Sequence, residues 1–140
     1  MEQASERGRV IIRPFESSDV GAIEQMHHKA GLPPICLPDT KCPLFFLKLV
    51  GTQDKRVINA GFIKLTGEAF ILVDHETGTP EERWANLRSL VQVGLASAGA
   101  KGLQDVTAWL PPEVEKSFGK RIEDFGFHKS PWNSYSAILE

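Results

Sequence analysis

The sequence predicts an α+β fold: a mixed, mostly antiparallel sheet of about six to seven strands with helices on both faces. Three observations carry that expectation. Short β-rich runs bounded by Gly, Pro and polar clusters recur along the chain, three of them in succession near its middle. Three other stretches place apolar residues at helical spacing. Finally, Glu68 to about Gly99 reads as a strand (Ala69 to Val73), a short turn (Asp74 to Thr79) and an amphipathic helix (Pro80 to Ala98), the unit around which the rest is arranged.

The first strand is Val10-Ile11-Ile12-Arg13-Pro14-Phe15, stopped by Pro14. Ser17 or Ser18 then caps a helix whose inner face is Val20, Ile23, His27 and Ala30, and Gly31 supplies a left-handed stop. Leu32 to Pro43 is a proline-punctuated loop, long enough to border a site. Phe45 to Val50 and Val57 to Leu65 pair antiparallel across the polar turn Gly51–Lys55, with Gly61 marking a bulge or a close backbone approach. A tight turn at Thr66-Gly67 leads into Ala69-Phe70-Ile71-Leu72-Val73, an apolar run of the kind buried on both faces.

The next helix announces its own start. Thr79 is the cap, Pro80 sits where its missing N–H costs nothing, and Glu82, three residues after Thr79, completes a capping box. Trp84, Leu87, Val91, Leu95 and Ala98 share one face, and the helix ends near Gly99. Leu103 to Leu110 is a strand. Pro111-Pro112 opens a helix with Val114, Phe118, Ile122 and Phe125 on one face, closed by Gly126. Phe127 to Lys129 and Ser134 to Leu139 form a last hairpin around Pro131-Trp132-Asn133.

A chain of 140 residues, 41% hydrophobic and 24% charged, fits a single globular domain, with residues 1 to 8 as a flexible leader. The net charge of −2 without a basic stripe argues against nucleic acid as the main partner. The polar start Met1–Glu6 is no signal peptide, and Leu44 to Val50 is too short to span a bilayer, so a cytoplasmic protein without a membrane partner is expected. Cys36 and Cys42 read as two unpaired loop thiols. Their spacing is wider than a zinc knuckle, and adjacent His27 and His28 point in different directions, so no metal site is expected.

The opening Ile12-Arg13-Pro14-Phe15 with Ser18-Asp19, the strand Asn59-Ala60-Gly61-Phe62-Ile63-Lys64-Leu65, the strand-turn-helix from Phe70 to Leu87 and the ending Glu123-Asp124-Phe125-Gly126-Phe127 follow one another in a telling order. With these features the chain resembles the GNAT acetyltransferase family over about residues 9 to 139. The resemblance implies a GNAT-like domain that uses acetyl-CoA as cofactor. It would transfer the acetyl group to a small-molecule amine or peptide by direct attack. The alternative is a non-catalytic GNAT-like domain serving as a binding or assembly module.

The same resemblance implies the site. Leu72 and Val73 lie on the strand that offers backbone groups to pantetheine, and Gly78, Thr79 and Arg83 lie in the turn that cradles the pyrophosphate. The family's Arg/Gln-x-x-Gly-x-Gly/Ala pattern falls near Gly78, Thr79, Glu81 and Arg83, and its glycines are missing here. Glu68 is the implied general base. Ile122 stands where family members often carry an acidic tyrosine, so Tyr135, the only tyrosine, is the remaining acid, entering by a different geometry.

Residue chemistry leaves the alternatives open. Glu81 and Glu82 occupy the first turn of the helix, where each carboxylate is worth about 0.3–1 kcal/mol and fills the place of an anion. An ordinary capped helix explains Thr79, Pro80 and Glu82 without any ligand. Tyr135 also fits a half-buried strand aromatic, while His75 and His128 fit surface turns. Trp84 is read as core; Trp109 and Trp132 would line an acceptor pocket or a homodimer interface.

Overall fold

The computed structural model describes residues 8–139, so the leader expected over residues 1 to 8 lies, apart from Gly8, outside them. It is a mixed α+β structure with three α-helices, a three-stranded antiparallel sheet and a small parallel sheet. Its contacts cluster into two compact units, Met1–Leu65 and Thr66–Glu140.

In unit 1, β1 (Ile11–Pro14), β2 (Phe45–Gln53) and β3 (Arg56–Lys64) form the antiparallel sheet in that order. β2 runs three residues beyond its expected end. The polar turn contracts to Asp54 and Lys55, both left-handed at φ 51° and 64°, which suits a tight hairpin between right-twisted strands. Gly61 does not mark the bulge. It pairs with Leu49, and the register shifts fall between Phe45 and Leu47 and between Gly51 and Thr52. The close approach belongs to Gly51, where a Cβ would stand 2.0 Å from Asn59 Oδ1.

α1 (Val20–Ala30) ends at Gly31 with φ 65° as expected. Its start differs: neither Ser17 nor Ser18 caps it. They belong to a 3₁₀ turn, Ser17–Asp19, whose last carboxylate faces backward. Asp19 Oδ1 and Oδ2 accept from Arg13 Nη2 at 2.7 Å and Nη1 at 2.8 Å, and Oδ2 also accepts from Glu16 N at 2.8 Å. The Arg13 guanidinium, then the Glu16 amide, hold the buried Asp19 carboxyl below the usual carboxylate range. Val50, 1% exposed, and Ile23 are buried, while Phe62 meets Phe15 and Phe45 edge-on at 5.8 and 6.0 Å. In the proline-rich loop Cys42 is buried and Cys36 exposed, with no disulfide between them.

In unit 2, β4 (Gly67–Ala69) pairs parallel with β5 (Val106–Ala108), and α2 (Pro80–Ala100) lies between them in sequence. α3 (Pro112–Glu123) follows, and Gly126 turns left-handed just after it at φ 96°. Leu87 and Val91 of α2 pack with Ile122 and Phe125, flanked by Ile71, Val73 and Phe118. Trp84 is half-buried as core, stacked on Phe125 at 4.6 Å and edge-on to Phe118 at 6.3 Å, with the Arg121 guanidinium over its ring.

Four expectations are corrected here. Among the described residues there are five strands in two sheets, not six to seven in one. The expected strand Ala69–Val73 contributes only its first residue to β4, and Leu103–Leu110 shrinks to β5. The final hairpin does not form: residues 127–129 and 134–139 have no ladder. An apolar run reports burial, whereas a strand also requires a hydrogen-bonding neighbour, which Ile71–Val73 and the tail lack.

Candidate functional site

The site expected from sequence lies in unit 2, and all of it but Tyr135 falls along the stretch from β4 to the first turn of α2. β4 begins close against the residues that lead into β5: Gly67 N donates to Asp105 O at 2.9 Å, and a Cβ on Gly67 would lie 3.1 Å from Leu103 Cδ1. Glycine permits that approach. After three paired residues the chain leaves the ladder. Ile71 and Val73 turn into the core, while Phe70 and Leu72 are 85% and 94% exposed. Among the described residues, no backbone hydrogen bond ties Ile71, Leu72 or Val73. Their amides and carbonyls are strong hydrogen-bonding groups left without a ladder partner.

The turn that follows is closed upon itself. Asp74 Oδ2 accepts from Thr77 Oγ1 at 2.7 Å and Oδ1 from Glu76 N at 2.9 Å, and these bonds, with the charges of His75 and Arg83, hold its carboxyl below the usual range. Gly78 is left-handed at φ 73° and lies against Glu82, whose Oε2 would sit 2.8 Å from an added Cβ. The capping box is complete: Glu82 N donates to Thr79 Oγ1 at 3.2 Å and Thr79 N to Glu82 Oε2 at 3.1 Å. Arg83 Nη1 folds back onto Gly78 O at 2.7 Å.

Gly78, Thr79 and Arg83 are therefore brought together, but in an arrangement that satisfies itself. A helix start offers four free amides. Here Thr79 and Glu82 are bonded and Pro80 has no N–H, so Glu81 N is the remaining first-turn donor, beside two carboxylates.

At the other end of the unpaired segment lies a cleft of about 360 Å³. Glu68, exposed on β4, is its single charged lining residue; Leu90, Gly94 and Ala98 of α2 and Phe127 also line it. Leu72, Val73, Gly78, Thr79, Arg83 and Tyr135 are not in its lining. Tyr135 is 95% exposed, and Ile122, at 7%, belongs to the core. His75 and His128 are exposed, as are Trp109 and Trp132 at 54% and 55%.

The cleft itself escaped the sequence reading. Its signal was the small pair Gly94 and Ala98, one helical turn apart, with Leu90 one turn before them. Among the described residues no group of three or more His, Cys, Asp or Glu is placed to hold a metal, and no helix is long and apolar enough to cross a membrane. No protein-family model matches this chain, and no curated protein matches it either.

Proposed function

We propose that this chain is a GNAT-like, acyl-CoA-dependent N-acyltransferase, with acetyl as the simplest acyl group and an amine or peptide as acceptor. The observation that carries the reading is the segment Ile71–Val73, which follows the parallel β4–β5 pair with its backbone groups unbonded and leads through the Asp74–Thr79 turn to the start of α2. The amide-bearing arm of pantetheine matches such an edge, as a strand would. In the reaction, the acceptor nitrogen attacks the thioester carbonyl, the C–N bond forms and the C–S bond breaks. Glu68, directly or through a water, takes the amine proton, while CoA leaves as a thiolate. Ile122 offers no proton to that thiolate, and Tyr135 is the remaining side-chain acid proposed for it.

A second reading, a binding or assembly module without CoA, is favoured by one specific observation: the capped, acidic start of α2 has a single amide left for a pyrophosphate. Thermal unfolding with acetyl-CoA separates the two. A ligand at a hundred times its dissociation constant adds about 2.7 kcal/mol, which raises the melting temperature of a chain of this size by roughly 5–10 °C. No shift at millimolar acetyl-CoA sinks the enzyme reading. Acyl-pantetheine that stabilises as well as acetyl-CoA would mean that the phosphates add nothing to binding, as the closed start of α2 implies.

A further inference from the structure

The cleft along α2 bears on which acyl group is carried. We propose that it holds the hydrocarbon chain of the donor, so that the preferred substrate is a medium-chain acyl thioester; this rests on the acyl-transfer reading above. A dry cavity of about 150 Å³ holds a six-carbon ring. The cleft, at about 360 Å³, therefore has room for a chain of roughly eight to twelve carbons, far more than acetyl needs.

Its shape and chemistry suit such a chain. From Leu90 to Ala98 the wall on α2 is two helical turns long, about 12 Å. Gly94 and Ala98 recess that wall, and a Cβ on Gly94 meets no atom within 4 Å. Ala69 and Phe70 line the cleft from the strand segment. Leu90 is 61% exposed although Leu87 and Val91 of the same helix are buried, so α2 presents apolar surface beyond what the core uses. The polar features lie on the strand side. Glu68 is the lone charge in the lining, and the unbonded backbone begins at Ile71, also in the lining. A thioester held at Ile71–Val73 would send its chain along α2 and keep its carbonyl on the strand side, with Glu68.

The test is a chain-length series on the full chain: calorimetric titration with acyl-CoA thioesters of two to sixteen carbons, and in parallel with S-acyl-N-acetylcysteamine thioesters of the same lengths. Affinity should climb by roughly fourfold per methylene and level off near eight to twelve carbons. Gly94→Leu and, separately, Ala98→Leu should weaken the eight-carbon thioester at least tenfold more than the acetyl one. If a variant fails to fold by circular dichroism, the plateau in the unmodified chain decides. Affinity that is flat from acetyl upward overturns the proposal, whether or not acetyl-CoA binds and whether or not a second copy covers the cleft. A rise that continues past sixteen carbons is unspecific adsorption and overturns it too. A plateau in the cysteamine series with no response to any CoA ester supports the chain site and removes CoA from the reading.

Discussion

Replacing Glu81 and Glu82 together by glutamine tests what the start of α2 can do. Both carboxylates lie in the first turn, where the helix carries roughly half a positive charge. Each is worth about 0.3–1 kcal/mol there because it meets the positive end of the helix, so a pyrophosphate that takes the place of both gains about 0.6–2 kcal/mol from the same dipole. That corresponds to roughly three- to thirtyfold tighter binding of acetyl-CoA. The amide oxygen that replaces the Glu82 carboxylate can still accept from Thr79 N, so the capping box survives and the stability loss stays near the dipole contribution. The assay is calorimetric titration at low and moderate salt, with thermal unfolding of both proteins. Because the Debye length is about 10 Å at 0.1 M, the gain should shrink as salt is added. Unchanged affinity at low salt together with a lowered melting temperature would refute the reasoning, since it would show that no anion approaches this end of the helix.

Three further outcomes follow from packing and charge. Arg13→Ala removes both hydrogen bonds to the buried Asp19 carboxylate and should lower the melting temperature at pH 7. Because the folded pKa of Asp19 is depressed, its contribution is present above the ordinary value of about 3.9 and lost as pH falls through the folded pKa. The gap between the two proteins should therefore narrow toward pH 2 in thermal melts. Trp84→Ala deletes the ring stacked on Phe125 at 4.6 Å, and for a half-buried tryptophan should cost about 2–3 kcal/mol in denaturant unfolding. Gly51→Ala forces Asn59 Oδ1 away from a position 2.0 Å from the new Cβ and should cost about 1–3 kcal/mol. Adding Asn59→Ala should recover more than half of that loss, and an additive double variant would contradict the steric account.

Local signals are legible in the sequence to the extent that they are local. Thr79, Pro80 and Glu82 specify a helix start through contacts within four residues, and the capping box stands as the spacing implies. Gly31 and Gly126 likewise fix left-handed turns after α1 and α3. What the sequence hides depends on partners far away along the chain. Phe70–Val73 reads as buried on both faces because all its residues are apolar; instead Ile71 and Val73 face the core and Phe70 and Leu72 face outward. Gly67, which reads as a turn residue, is a rung of the parallel ladder, set there by Asp105 and Leu103 on the other side of α2. Ser17 and Ser18 lose the capping role because Asp19 is pulled backward by Arg13, a residue on β1. Of the candidate site, the closed turn is visible in the sequence, whereas the cleft is not, because it arises from what α2 and β4 leave unfilled.

The contrast between the two ladders carries over to the order of assembly. β2 and β3 meet across Asp54 and Lys55, so unit 1 zips from a turn that is closed almost as soon as it forms. The β4–β5 rungs close a loop that contains all of α2, and the entropy of that closure must be met before three rungs can reward it. Refolding of unit 2 therefore waits on α2, and its strand pair should be the first structure to open in amide hydrogen exchange while the hairpin of unit 1 is still protected.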